Sequence, residues 1–434
     1  MRLARENGTR PPQPPSRRVA VTGIGCITPI GNSVEGLWEG LHRRESAVRR
    51  ISRFDTSPFR THIAAEVDEF RPLDFMEKQR VKRLDRFAQF SVASARLALD
   101  DAGLEPASLD PDRVAVQIGS ALGGIMHAEE QYHKYLTEGV RGVSPLLALS
   151  VFGGSSSCNI AIEFGFTGSN ATNAMSCASG AIAIGDAWRL IREGSADVAL
   201  AGGVEAPLSP LSYGAFAILR AMSTRNDDPR HSSRPFDVDR DGFVMAEGAA
   251  ILVLEELEHA RARGARVYAE LCGYGTSNDA FHMTAPRPDG AQAARAVRQA
   301  LTVAGVQPDQ IDYVNAHGSS TPLNDATESR VIREVFGEHS DSLAVSGTKG
   351  YHAHALGATG AIEAAITALA LRNGWIPPTL NLESPDPDCD LTYTNGIGDT
   401  REVRYAVSNS FGFGGINAAL VFGKAGNEKA GNRE

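Results

Sequence analysis

Short apolar runs that end in glycine, separated by helical stretches, constrain this chain more than any other feature. Val114-Ala115-Val116-Gln117-Ile118-Gly119 and Asp197-Val198-Ala199-Leu200-Ala201-Gly202-Gly203 are apolar at nearly every position. A strand with one solvated face alternates, whereas a strand covered on both faces does not. Gly248 to Glu255, Val267 to Gly273, Ile311 to Asn315, Leu343 to Ser346, Tyr405 to Ser408 and Ala418 to Phe422 share this character. Between them, Ala181 to Glu193, Gly290 to Ala304, Asn324 to Phe336 and Ala358 to Arg372 read as helices. Strands alternating with helices predict an α/β fold. The pattern resumes after residue 264, so two similar α/β halves, 18–264 and 265–424, are expected to pack face to face. No close sequence repeat links them.

One corner carries a nucleophile. Asn173 to Gly194 centres on Ser176-Cys177-Ala178-Ser179-Gly180, after a β-compatible segment within Phe164 to Ala174. Cys177 therefore falls in the first turn of a helix, among side chains small enough for a substrate to approach. Free N–H groups and the helix dipole at such a place lower a thiol's pKa and favour the thiolate. A buried, inert cysteine is the other reading.

Two more corners follow buried strands. The first is Asn315-Ala316-His317-Gly318-Ser319-Ser320-Thr321-Pro322. The second, Ser346 to Gly360, carries Lys349, His352 and His354. Ligands gather at strand ends in open α/β sheets. A thiolate, two imidazoles and an ammonium converging there suit acyl transfer through a thioester. Plainer readings exist for each residue alone: a hydrogen-bonded turn for His317 and a solvated cation for Lys349. His352 and His354 form an H-x-H pair that could ligate metal, but no carboxylate or third ligand lies close by in sequence.

Composition removes several alternatives. A net charge of −9 disfavours nucleic acid and anionic membranes as partners. No stretch is long and apolar enough to span a bilayer. Five scattered cysteines give neither a disulfide framework nor CxxC metal pairs, so reduced thiols in a cytoplasm are expected. Residues 1–17, with Pro11-Pro12-Gln13-Pro14-Pro15 and several arginines, lack the apolar segment of a signal peptide and read as a disordered tail. A second short tail is expected at 425–434. Gly23-Ile24-Gly25 after the strand at Arg18 imitates a dinucleotide fingerprint. The third glycine is missing and Thr28-Pro29 follows, so that site is excluded.

A short helix is expected at Leu37 to Arg44, and one long helix at Glu77 to Gly103. The long helix opens with Lys78, Arg80, Lys82, Arg83 and Arg86. Such a run is either a solvated face or a docking patch for an acidic partner.

These motifs together resemble those of the β-ketoacyl-acyl-carrier-protein synthases, condensing enzymes with a thiolase-like fold. The resemblance spans residues 18 to 424. It rests on SCASG around Cys177, AGGVE at Ala201 to Glu205 and RPFDVDRDGFVMAEGA at Arg234 to Ala249. NDAFHMTAPRPDG at Asn278 to Gly290 and NAHGSSTPLND at Asn315 to Asp325 add to it, as do TKGYHAHALGATGA at Thr348 to Ala361 and NSFGFGGINA at Asn409 to Ala418. The resemblance implies a layered α-β-α-β-α arrangement and decarboxylative condensation of a malonyl unit with an enzyme-bound acyl chain. It makes Cys177 the nucleophile, His317 and His354 the pair that assists decarboxylation, and Lys349 their electrostatic support. The backbone N–H groups of Cys177 and Phe413 correspond to the oxyanion hole, and Phe413 also to a gating aromatic. Ser319 and Thr321 match hydroxyls that bind phosphopantetheine, Phe216 and Leu122 the acyl pocket, and Phe411 joins this substrate-binding set. Arg80, Lys82, Arg83 and Arg220 sit where the family receives its acidic carrier protein.

The same resemblance implies no cofactor or metal beyond the carrier's phosphopantetheine, and a homodimer or a heterodimer with a chain-length-factor-like subunit. The chain departs from the family pattern at His352, usually a small or hydroxyl residue. Further departures are Ile416 for Thr, Ser319 for Thr and Ser176 for a small apolar residue. Val151 to Gly165, where the family builds its dimer-facing pocket wall, differs from fatty-acid enzymes. Thr224 to Pro229 and Pro385 to Asp390 are similar to type II polyketide ketosynthase subunits, which leaves fatty-acid and polyketide elongation both open and tips the expectation towards polyketide. A non-catalytic tunnel-shaping subunit would lack Cys177, and a thiolase would carry a second cysteine near Phe413-Gly414-Gly415-Ile416-Asn417, where none stands.

Overall fold

The computed structural model describes residues 17–426, so the expected tails at 1–17 and 425–434 lie almost wholly outside the described residues. Arg17 is the exception in the first tail, its guanidinium meeting Asp197 at 2.6 Å. The first half supplies β1 (Val19–Thr28), β2 (Val114–Gly119), β3 (Asn170–Asn173), β4 (Val198–Glu205) and β5 (Gly248–Glu256). The second supplies β6 (Ala269–Asn278), β7 (Tyr313–Asn315), β8 (Ala344–Ser346), β9 (Tyr405–Gly412) and β10 (Ile416–Gly423). Across one continuous sheet the order is β8-β7-β9-β10-β6-β1-β5-β4-β2-β3, with Gly31–Asn32 as a short extra strand beside β1.

Counted within each half, both sets run third, second, fourth, fifth, first. Their directions match as well. The second strand is parallel to the third and fourth, and the fifth is antiparallel to both its neighbours. The sets join where β1 and β6 pair along Val19–Val21. Strands β2, β4 and β5 are buried at every position, which is why they read as unbroken apolar runs.

The principal helices are α1 (Ser33–Arg43), α2 (Arg86–Ala102), α3 (Ile125–Glu138), α4 (Ser155–Phe164), α5 (Ser179–Arg192), α6 (Pro210–Ile218), α7 (Ala291–Ala304), α8 (Pro322–Phe336) and α9 (Thr359–Asn373). Phe87, Phe90 and Leu99 of α2 pack with Val116, Leu200 and Ile251 on the outer face of the first set. Val297 and Leu301 of α7, with Val331 and Ile332 of α8, cover Val314 and Val345 of the second set. Ile184 and Trp188 of α5 meet Ile362 and Ile366 of α9 between the sets, beside Leu252 and Leu420. The layering is α-β-α-β-α, as a thiolase-like fold requires. α9 is buried from Thr359 to Leu371, which explains its lack of a polar face.

The duplication leaves a trace at the centre. The turn Ser176–Ala178 leads into α5 as Leu356–Ala358 leads into α9, and Ser176 and Leu356 both have positive φ, 52° and 43°. Ala178-Ser179-Gly180-Ala181-Ile182 is repeated as Ala358-Thr359-Gly360-Ala361-Ile362. The two helices cross at these glycines. A Cβ on Gly180 would lie 2.9 Å from the Gly357 carbonyl oxygen and 3.0 Å from the Ala361 nitrogen. Glycine to alanine inside a helix ordinarily stabilises by up to about 1 kcal/mol. Here overpacking against backbone reverses the sign, so Gly180→Ala is expected to destabilise by about 1–3 kcal/mol. A thermal melt in which Tm rises instead would show that α5 and α9 have room to spare. Gly23 and Gly25 also serve close packing, since a Cβ on Gly25 would meet the Ser94 carbonyl oxygen of α2 at 2.0 Å.

Three sequence expectations need correction. The helix expected from Glu77 to Gly103 is two, Lys78–Val81 and α2, because the Asp85 carboxylate accepts from the Ala88 N–H at 3.3 Å and starts a new helix. The helix expected at Leu37 begins four residues earlier, at Ser33. β6 runs five residues beyond Gly273, held in register with β10 up to Asn278↔Ile416.

Candidate active site

Cys177 sits in the tight turn between β3 and α5. The Ser179 hydroxyl donates to the Ser176 carbonyl at 2.7 Å, and the Asn173 amide donates to the Ser179 carbonyl at 3.1 Å. Only 8% of Cys177 is exposed. The Phe413 backbone N–H, from the β9–β10 hairpin, reaches its sulfur, and the Ser176 hydroxyl lies 3.9 Å away. The helix-terminus reading expected a lowered thiol pKa. Burial instead pushes the Cys177 thiol up, against the opposing pull of Ser176, Phe413 and the more distant Lys349. Below its pKa a thiol gains thiolate about tenfold per pH unit. Alkylation of Cys177 by iodoacetamide is therefore expected to accelerate about tenfold per unit from pH 7 to pH 9. A rate already level near pH 7 would show that the helix end dominates.

His317 follows β7 directly. The Glu328 carboxylate on α8 fixes this corner by accepting from the backbone N–H groups of His317 and Gly318, both at 2.8 Å. Behind the imidazole, the Lys349 ammonium lies 3.4 Å from His317 Nδ1, donates to the His317 carbonyl, and pairs with Glu363 of α9 at 2.5 Å. Both members of that pair are fully buried. His354 is set by its backbone, whose N–H donates to the Val244 carbonyl at 2.8 Å and whose carbonyl accepts from Ala246 at 2.9 Å. Its Nδ1 lies 2.9 Å from the Thr359 hydroxyl. The two imidazoles stand edge to face with centroids 5.4 Å apart.

Burial, with the Lys349 charge second, holds both His317 and His354 well below the usual imidazole value, so both are neutral at physiological pH. An ammonium beside Nδ1 of His317 leaves that ring's proton on Nε2, and the Thr359 hydroxyl beside Nδ1 of His354 is able to donate to it and favour the same tautomer. Burial also raises three nearby carboxyls: Glu205 and Glu328 to about 7, and Glu363 to about 8, where Lys349 pulls it back. The Glu205 carboxylate accepts from the backbone N–H groups of Ala121, Leu122 and Gly357 and from the Ser120 hydroxyl.

A cavity of about 500 Å³ unites the corners. Cys177, His317 and His354 line it together with Ser319, Thr321, Phe411 and Phe413. Leu122, Phe216 and the exposed Arg220 line it too, and Phe216 stacks on Phe413 with centroids 6.4 Å apart. Lys349 does not line the cavity. The ammonium expected there stands behind His317, 3.4 Å from its Nδ1. Arg80, Lys82 and Arg83 also lie outside the lining. Arg80 is committed to Glu163 at 3.3 Å and to the Asn159 carbonyl, while Lys82 and Arg83 are exposed.

His352 is not a metal ligand paired with His354. Its ring is fully buried, its pKa is lowered to about 3 by burial, and its nitrogens face Ala353 O and Thr348 Oγ1. Sequence reasoning missed Thr359, Glu328 and Glu363. A lone glutamate in the otherwise apolar run Ala358 to Arg372 was the available signal for the last.

Profiles of "Beta-ketoacyl synthase, N-terminal domain" and "Beta-ketoacyl synthase, C-terminal domain" match residues 16–260 and 268–383. The chain is 46% identical over 408 residues to the 3-oxoacyl-[acyl-carrier-protein] synthase 2 of Synechocystis sp., covering 94% of this chain and 98% of that protein. The synthase 2 of Coxiella burnetii is 44% identical, with 94% and 99% covered. Among solved structures, the ishigamide ketosynthase/chain length factor superposes with a TM-score of 0.89 at 38% identity, over 95% of this chain and 100% of that one. A type II PKS ketosynthase in complex with its acyl-carrier protein and bound to a hexaketide gives 0.88 at 35%, over 94% and 100%. With the cavity, its cysteine and its two neutral imidazoles, these matches show that the chain belongs to the β-ketoacyl synthase family.

Proposed function

We propose that this protein elongates acyl chains by condensing a malonyl unit, carried on an acyl carrier protein, with an acyl group held on Cys177. The observation that carries this reading is one cavity lined by a sulfur and by two neutral imidazoles. In the first step the acyl group leaves its carrier for the Cys177 sulfur, and the carrier departs as a free thiol. The malonyl thioester then loses its carboxylate as CO₂, and the enolate oxygen is held by the Nε2–H donors of His317 and His354. The enolate carbon attacks the acyl-cysteine carbonyl, whose oxygen turns to the backbone N–H groups of Cys177 and Phe413. Collapse releases the cysteine and a β-ketoacyl carrier. No further cofactor enters this scheme.

Arg220 at the cavity mouth, with the exposed Lys82 and Arg83, suits an acidic carrier protein, whereas Arg80 is already engaged by Glu163. A second subunit fits the other exposed face. Tyr132 and Leu136 of α3, Phe152, Ile162 of α4 and Met175 are exposed there, beside the open edge of β3. That subunit is a second copy or a chain-length-factor-like chain, and it works with this one in the cytoplasm.

Purified protein given acyl and malonyl carriers is expected to release CO₂ and form a β-ketoacyl carrier, followed by mass spectrometry. Absence of product with carriers of any acyl length, alone or with a partner subunit, would refute the reading.

A further inference from the structure

Ala353 precedes His354 and holds a backbone conformation reserved for glycine, with φ 57° and ψ −159°. A Cβ makes that region costly, and such strain persists only where the surroundings over-determine it. The short helix Lys349–His352 ends at this residue, and the Ala353 N–H closes it by donating to the Lys349 carbonyl at 2.9 Å. The chain must then turn at once to pin His354 between Val244 and Ala246. The Ala353 peptide thus links the lysine behind one imidazole to the backbone that carries the other.

His352 braces that peptide. Its Nδ1–H donates to the Ala353 carbonyl at 2.8 Å, and its Nε2 accepts from the Thr348 hydroxyl at 3.2 Å. Thr348 and His352 are completely buried, so water does not substitute for either bond. Burial keeps the ring neutral, which preserves one donor and one acceptor.

We propose that His352 is a positioning residue for His354: it locks the strained Ala353 peptide and thereby aims the reacting imidazole. It rests on the proposed role of His354 in malonyl decarboxylation. The brace and the strain belong together. Glycine at 353 would need no brace, and alanine does.

The test measures kcat and KM for decarboxylation of malonyl carrier, alkylation of Cys177, and Tm, in five variants of the full-length protein. His352→Ala is expected to lower kcat about tenfold, with KM and Cys177 alkylation unchanged. In the Ala353→Gly background the same change is expected to cost less than about twofold. His352→Asn keeps a donor near the Nδ1 position and should stay within about threefold of the parent. Equal losses with alanine and with glycine at 353, or full activity of His352→Ala, would overturn the proposal. Should His352→Ala fail to fold, the Asn variant and the double variant decide: low kcat in both, with normal Tm, overturns it. His354→Ala is the control for the underlying reading. If that variant still decarboxylates at the parent rate, the role assigned to His354 has failed, whatever His352 does.

Discussion

Cys177→Ala abolishes acyl loading and lowers condensation by roughly four to six orders of magnitude. Nothing else in the cavity can replace the sulfur. Cys158 is exposed on α4, and Cys26, Cys272 and Cys389 do not line the cavity. The oxyanion donors and the imidazoles stay in place without it, so decarboxylation of malonyl carrier is not abolished in parallel. Cys177→Gln sharpens the separation. An amide carbonyl in place of the acyl-cysteine carbonyl meets the Phe413 N–H, leaving a protein that decarboxylates but cannot condense. Intact-mass measurement after incubation with acyl carrier reads the first step, and CO₂ release reads the second. Wild-type condensation by Cys177→Ala would refute the covalent route.

Lys349→Ala carries the next largest effect, and it strikes twice. Its ammonium holds Nδ1 and the carbonyl of His317 and neutralises Glu363, all out of contact with water. Removing one partner of a buried pair leaves the other uncompensated, at about 3–5 kcal/mol. Glu363 already stands at about 8 against an ordinary value of 4.5, and loss of the cation pushes it higher still. A carboxyl whose folded value is raised contributes stability that is complete below pH 4.5 and is lost as pH climbs through the folded value. The Tm deficit of Lys349→Ala should therefore stay level below about pH 7 and widen as pH climbs past about 8, where only the parent ionises Glu363. Adding Glu363→Gln should remove most of the pH dependence. Decarboxylation should drop about a hundredfold, because His317 loses the donor that selects its tautomer. A deficit that does not change with pH would mean that Glu363 finds another partner.

The sequence made the candidate groups legible because each stands at a glycine-rich corner after a strand, although the strand before Cys177 is a half-exposed edge rather than a buried one. Cys177, His317 and His354 stand out at such corners. The positioning groups do not. Glu363 is one carboxylate in a helix so apolar that its burial hides any face, and Glu328 acts through its carboxylate on backbone N–H groups that no side-chain motif records. The thiol's electrostatics were misjudged for the same reason. A helix terminus can be seen in sequence, but the depth at which the corner is buried depends on the Phe413 hairpin, far away along the chain. The break before α2 was readable at Asp85, a capping residue inside an otherwise helical pattern. The internal repeat was readable too, in Ala178 to Ile182 and Ala358 to Ile362, but five residues are too few to notice before the turns are superposed.

Those twin turns explain why the molecule has a single thiol station. Position 357 in the second turn is the counterpart of position 177 in the first. A side chain at 357 would begin 2.5 Å from the Ala121 nitrogen and 2.7 Å from Glu205 Oε2. The Glu205 carboxylate, clasped by Ala121, Leu122 and Gly357, occupies that place. Symmetry is thus broken by occupancy: one turn carries a thiol beside the cavity, and the other gives that place to an acid that ties the loop after β2 to the turn before α9.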